Sequence, residues 1–266
     1  MTAFSDLYPT ASVAKGMGVP WYVLCAKKAS VYVITTILTL PVITYFVLSS
    51  KRRDFLEIFH LVWNASLAPI SELTNFKDET LLSAVWKDSP YREVAEYQMV
   101  EGFCGSATLK NVVASFGNVP QEKIPSQKYG AMFPKKFCDN LEALKLGAKS
   151  EIIRGDASFE DFRNALKKSN AENYRVVVNF LRPALFGFSG WRCSWFLPWN
   201  LMFSLFGGHF SPIVGYLEQH DVVAIFDLNA AYGFYLCPTR NLYEAVKAKD
   251  LMGGQPRALI TIEIDK

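Results

Sequence analysis

The spacing of hydrophobic positions changes character twice along the chain. From Ala29 to Ser50 the sequence ASVYVITTILTLPVITYFVLSS runs for 22 residues without a charge. At about 1.5 Å per residue such a run matches the ~30 Å hydrocarbon core of a bilayer, so a transmembrane helix over 29–50 is the expectation. Lys27 and Lys28 flank it on one side and Lys51, Arg52 and Arg53 on the other, with Trp21, Tyr22 and Tyr45 near the ends. Pro41 predicts a kink, which bilayer helices tolerate better than soluble ones. Residues 51–90 then read as a helical connector, with Phe55, Ile58, Phe59, Val62 and Trp63 recurring every three or four positions.

From about Tyr91 the pattern becomes that of a compact domain, 91–266. Leu109, Val112, Val113 and Phe116 have helical spacing between Gly105 and Phe116, and Gly117 is a natural stop. Ser158-Phe-Glu-Asp161 has the spacing of a capped helix start, with Phe159, Phe162 and Leu166 on one face behind it. Strand-like runs follow at Arg175–Phe180, Ser211–Leu217, Val222–Leu228 and Ala258–Ile264. The polar turn Glu218-Gln219-His220-Asp221 makes the middle two an antiparallel hairpin. A helix followed by an antiparallel sheet is an α+β layout. The division is thus 1–28, an N-terminal segment; 29–50, the span; 51–90, the connector; and 91–266.

Composition narrows the function classes. Half of the 266 residues are hydrophobic and 20% are charged, which excludes a disordered chain. The balance is +3, and the basic residues form no extended stripe, so nucleic acid is not an expected partner. Cys25, Cys104, Cys138, Cys193 and Cys237 are odd in number and contain no Cys-x-x-Cys pair. They read as thiols kept reduced rather than as a disulfide framework or a structural zinc site.

Candidate chemistry concentrates around one of these thiols. Cys104 directly precedes the predicted helix, whose N-terminal partial charge favours the thiolate. Gln98, six residues upstream, is placed to offer an amide donor to an oxyanion beside the sulfur. His209 follows Gly207-Gly208 at the mouth of the hairpin. A turn centred between Gln219 and His220 sets His209 opposite a residue near 230, about a diagonal neighbour from Asp227 if the register slips slightly. Asp227 closes the apolar run Val-Val-Ala-Ile-Phe, an unusual position for an acid unless something pairs with it. Cysteine, histidine and aspartate in that chain order have the logic of a nucleophile, a base and its orienter. His60 and His220 read as packed or surface side chains.

These segments resemble the phytochelatin synthases. Gln98-Met-Val-Glu-Gly-Phe-Cys104-Gly105 is similar to the family's nucleophile motif, and Gly208-His-Phe-Ser-Pro-Ile-Val-Gly-Tyr216 to its histidine motif. Ile225-Phe-Asp227 is similar to its aspartate motif, and Ser158–Arg163 to the helix before the central sheet. The resemblance covers roughly Tyr91 to Asp250. It implies a papain-like cysteine-protease fold with Cys104 as nucleophile, His209 as base and acid, Asp227 as its orienter and Gln98 as oxyanion donor. The implied activity is that of a glutathione gamma-glutamylcysteinyltransferase: acyl transfer at the Cys–Gly bond of glutathione, through a Cys104 thioester, to a second glutathione or thiol peptide. Heavy-metal ions such as cadmium, zinc and copper are implied as activators through metal–thiolate substrates, with no obligatory cofactor.

Four departures accompany the resemblance. Ala230 stands where the family has an arginine near the substrate, and Val100-Glu101 replaces Glu-Pro. The chain reaches Lys266 just after the last strand, without a cysteine-rich C-terminal extension. Leu185–Phe206 expands the linker before the histidine motif, with Trp191, Trp195, Trp199 and Phe203 four residues apart. Such a face reads equally as extra core or as a membrane-interface surface. Ala230 and the absent extension favour an alternative, a thiol peptidase or amidase acting on glutathione, its conjugates or another peptide. A second alternative is an inactive papain-like binding module. The expected setting is a single-pass membrane protein, touching lipid, with its catalytic domain in the cytosol.

Overall fold

A computed structural model describes residues 33, 37–38, 40–67, 78–99, 102–128, 132–187, 208–230, 232–251 and 253–264. Residues 40–48 are helical, and Ser49–Lys51 turn the chain into α1 (Arg52–Leu67). Then come α2 (Glu79–Lys87), α3 (Cys104–Ala114), α4 (Pro134–Glu142), β1 (Ala148–Arg154), α5 (Phe159–Lys167), β2 (Tyr174–Phe180) and the single turn α6 (Pro183–Phe186). The chain continues through β3 (His209–Leu217), β4 (Val222–Phe226), β5 (Phe234–Pro238), α7 (Thr239–Lys247) and β6 (Ala258–Ile264).

The strands form one six-stranded sheet in the order β1-β6-β2-β3-β4-β5, and every neighbouring pair is antiparallel. The α+β expectation holds. Along β2 the side chains alternate between two cores, Val176, Val178 and Phe180 on one side and Val177 on the other. The first core takes in α5, α6 and α7, with Phe162, Leu166, Leu185, Leu242 and Val246. The second takes in α2, α3 and α4, with Leu82, Leu109, Val112, Val113, Phe137 and Leu141. Being covered on both faces, the middle strands are buried along nearly their whole length.

The predicted ends are physically capped. The Ser158 hydroxyl accepts the Asp161 backbone N–H at 3.0 Å, opening α5. Gly117 takes φ +90°, so the chain leaves α3 where the sequence predicts. Asp78 caps α2 by accepting from the N–H groups of Thr80 and Leu81.

Within the apolar run 29–50, the stretch 40–48 packs on the domain rather than standing free of it. Residues 29–32, 34–36 and 39 lie outside the described residues, and no helix among the described ones is long and apolar enough to cross a membrane. Within 40–48, Phe46 is buried, and Val42, Ile43 and Val47 pack against the first core. Phe46 stacks on Phe55 of α1 at 6.1 Å between ring centroids. The physical reason is helical spacing: 42, 43, 46 and 47 share one face, and that face meets the domain. Of the connector's apolar face, Phe55, Ile58 and Val62 are buried, whereas Trp63 is half exposed. The tryptophan-bearing stretch 188–207 lies outside the described residues; Leu185 and Phe186 before it are core.

Candidate active site

Cys104 is the first residue of α3. Phe103 before it offers no side-chain cap, so the first N–H groups of the helix point at the sulfur's surroundings without a competing acceptor from that residue. The helix is fixed by a buried face of Ala107, Leu109, Val112 and Val113, and it lies against β3. The Cys104 thiol therefore sits on a rigid element beside the strand that begins with His209.

His209 and Asp227 meet as the sequence requires, by a specific device. Leu217 pairs with Val222, Tyr216 with Val223 and Gly215 with Ala224, the register expected from the turn. Continued unchanged, it would leave His209 and Asp227 on opposite faces, because side chains alternate with period two. A bulge between Ile213 and Gly215 shifts the pairing by one, so that Ile213 faces Ile225. Beyond the bulge Asp227 falls on the same face as His209, one diagonal step away. His209 Nε2 then lies 2.7 Å from Asp227 Oδ1. With Nε2 so engaged, Nδ1 is left for the Cys104 thiol, which the imidazole holds below its ordinary value. The Phe180 ring, 5.8 Å away and edge-on, limits rotation of the imidazole.

Asp227 is fully buried. Its Oδ1 also accepts the Asn229 backbone N–H at 2.8 Å and an N–H of Arg182 Nη1 at 3.4 Å. Arg182, just past the end of β2, lies over the Tyr232 ring at 4.1 Å. Sequence reasoning missed Arg182; its only signal is a lone charge directly after an apolar strand. Ala230 leaves no guanidinium after Asp227, but Arg182 brings one to the same carboxylate from another element.

Electrostatics fit an ion-pair nucleophile. Burial pushes the Cys104 thiol up, but the His209 hydrogen bond and charge, the Phe210 backbone and Arg182 outweigh it and hold the thiol below its ordinary value. Burial pulls the His209 imidazole down, and the Asp227 carboxylate more than reverses this, leaving it raised. Asp227 is pushed up by burial but held below the usual carboxylate range by His209 and Arg182. Thiolate and imidazolium thus support one another.

Gln98 joins the constellation through its backbone. Its N–H donates to the Leu228 carbonyl at 2.8 Å, tying the segment to the residue after Asp227. Asn111, buried on the apolar face of α3, accepts the Glu96 N–H at 2.7 Å and donates to the Glu96 carbonyl at 2.9 Å. Gln127 spans the same segment, accepting from Met99 N–H and donating to the Tyr97 carbonyl. The Gln98 side-chain Oε1 is buried without a hydrogen-bond partner. Asn111 was legible only as a polar residue inside an apolar helix face. Among the described residues no group of three or more His, Cys, Asp or Glu is placed to hold a metal ion. Cys104, Cys138 and Cys237 are free thiols; Cys25 and Cys193 lie outside the described residues. His60 and His220 are exposed and remote from this network.

Comparison with known proteins bears out the family resemblance. Residues 201–259, which carry His209 and Asp227, match the family model described as phytochelatin synthase. The glutathione gamma-glutamylcysteinyltransferase of Schizosaccharomyces pombe (strain 972 / ATCC 24843) is 29% identical over 110 residues, 41% of this chain and 22% of that protein. The chain thus aligns with less than a quarter of that relative's length. Among solved structures, the peptidase domain of Streptococcus ComA, a bi-functional ABC transporter involved in a quorum sensing pathway, aligns with a TM-score of 0.37 and 12% identity. That alignment covers 64% of this chain and 97% of the peptidase domain.

Proposed function

We propose that the chain is a cysteine-nucleophile acyltransferase that moves the γ-glutamylcysteinyl group of glutathione onto a second glutathione or thiol peptide. The observation that carries this reading is Cys104 at the start of α3, which lies against the strand that begins with His209, whose Nε2 is held by Asp227 Oδ1 at 2.7 Å. The similarity of residues 201–259 to phytochelatin synthases supplies the substrate class.

In the first half-reaction the Cys104 thiolate adds to the carbonyl carbon of the Cys–Gly bond. The negative oxygen that develops is met by backbone N–H at the start of α3 and by the Gln98 amide. As the C–N bond breaks, the His209 imidazolium gives its proton to the glycine nitrogen, and glycine leaves as a free amine. In the second half, neutral His209 takes a proton from the α-ammonium-derived amine of the acceptor as it attacks the thioester. The new amide forms and the thiolate is restored. Asp227 moves no proton; it keeps the ring oriented and stabilises its cationic form. Heavy-metal ions such as cadmium enter as part of a metal–thiolate acceptor, which is substrate rather than resident cofactor.

A second reading is hydrolysis, in which water takes the acyl group and the products are γ-Glu-Cys and glycine. Ala230 favours it, since a cation expected near the substrate is missing there. Arg182 favours transfer, since it places a guanidinium beside Asp227 whose charge also reaches Cys104. We place the enzyme at a membrane through the apolar run 29–50, with the catalytic domain in the reducing cytosol. The deciding experiment is mass spectrometry of the purified full chain with glutathione, with and without cadmium. Transfer gives glycine and longer γ-Glu-Cys peptides; hydrolysis gives glycine and γ-Glu-Cys alone. Intact glutathione after long incubation would defeat both readings.

A further inference from the structure

We infer that the helical stretch 40–48 is a two-faced interfacial helix, one face in the core and the other in the headgroup–acyl boundary of a single bilayer leaflet, so that the apolar run does not cross the membrane. This rests on the proposal of membrane association and specifies its mode.

The contrast between two neighbouring helices carries the argument. Both pack on the first core, 40–48 through Phe46 and α1 through Phe55, Ile58 and Val62. The outward face of α1 is an ordinary solvated face, carrying Arg52, Arg53, Glu57, His60 and Asn64 among its apolar residues. The outward face of 40–48 has no charge at all: Leu40, Pro41, Thr44, Tyr45 and Leu48. Leu40 is 72% exposed, Tyr45 63% and Leu48 80%, and an open apolar hollow of about 640 Å³ runs along this face. The exposed apolar surface continues through Val33, Ile37 and Leu38. Isolated exposed leucines are ordinary; a continuous uncharged face beside a charged one is not.

Length excludes a crossing with the domain in place. Residues 29–39, the part of the run before the docked stretch, span about 16 Å as a helix, roughly half of the hydrocarbon core. To cross, the run would have to strip Phe46 from Phe55 and the core. Alternatively it would drag Lys51, whose ammonium donates to the Leu251 carbonyl, and the Lys249–Asp54 pair into hydrocarbon. Lying in the interface satisfies both faces. Lys51, Arg52 and Arg53 follow directly where the helix ends, so the basic cluster sits at headgroup depth and the lipid chemistry it fits is anionic.

The test uses the full chain in two assays. In the first, wild type and the triple variant Leu40→Ser, Tyr45→Ser, Leu48→Ser are sedimented with phosphatidylcholine–phosphatidylglycerol vesicles. The wild type should pellet and the variant should bind roughly tenfold more weakly or less, with unchanged circular dichroism because all three side chains are exposed. Equal binding by the variant overturns the assignment of this face. In the second, the chain is synthesised with sealed microsomes, and tags at its two ends are exposed to added protease. The in-plane helix leaves both tags digested; protection of one tag shows a crossing and overturns the inference while leaving membrane association intact. A wild type that binds no vesicles, yet forms a dimer that the triple variant dissociates, would give the face to a second copy and remove the membrane reading itself.

Discussion

At the scale of single residues the account turns on who shares Asp227 Oδ1. His209 at 2.7 Å and Arg182 at 3.4 Å compete for it, and they bias the site in different directions. Asp227 raises the imidazole and thereby helps hold the thiol down, so Asp227→Asn should move the two limbs of the pH–kcat/KM profile toward each other. The basic limb, set by His209, falls, and the acid limb, set by Cys104, rises. The maximum should drop by about 10²–10⁴-fold, the range for a lost orienter or general base. Arg182 lowers both His209 and Cys104, so Arg182→Met should shift the whole profile to higher pH rather than narrow it. Stopped-flow acylation across pH distinguishes these outcomes; identical narrowing in both variants would mean that Arg182 acts only through Asp227. The remaining thiols tell the same story by their silence: Cys138 and Cys237 are buried with raised pKa values, and Cys138→Ser should leave glycine release intact.

At the scale of elements, the helix bearing Cys104, the capped start of α5 and the hairpin were all legible, because each rests on local spacing and turn chemistry. The bulge was not. Pro212 and Gly215 inside the strand are the local hints of an irregularity, but they do not say which residue is extra; the need to bring His209 and Asp227 to one face does. Removing Val214 should therefore regularise the ladder while Ile213 still faces Ile225, so that His209 keeps its face and its reach to Asp227 and acylation survives; loss of acylation with the sheet still formed by circular dichroism would show that the bulge itself aims the imidazole. Arg182 and Asn111 escaped for a related reason: their partners, Asp227 and Glu96, are distant in sequence, and a lone polar residue does not name its partner. The junction of α1 and α6 was also invisible. Gly187 there has φ +75°, and a Cβ would lie 2.6 Å from Ser66 Cα. Gly187→Ala should force α1 away from α6 and cost about 1–3 kcal/mol in chemical denaturation, by overpacking and backbone strain together. A cost near zero would show that α1 is loosely held.

At the scale of the whole molecule, two cores sandwich one sheet, and Cys104, His209 and Asp227 come from α3, β3 and the loop after β4. The stretch 40–48 belongs to that architecture. Phe46→Ala should destabilise the domain by about 3 kcal/mol, whereas Leu48→Ala, on the outward face, should change it by less than about 0.5 kcal/mol. Equal small effects in thermal unfolding would mean that 40–48 is not docked. A chain beginning at Asp54, attractive because every catalytic residue lies beyond it, should accordingly fold but melt earlier. The central claim is that Cys104 carries an acyl group taken from glutathione. Its most direct measurement is intact-protein mass spectrometry after rapid acid quench of enzyme mixed with glutathione. The account predicts a γ-glutamylcysteinyl adduct mapped to Cys104, appearing with an equivalent of free glycine and absent from Cys104→Ala. An unmodified protein that still releases glycine, or release that persists in Cys104→Ala, would contradict it.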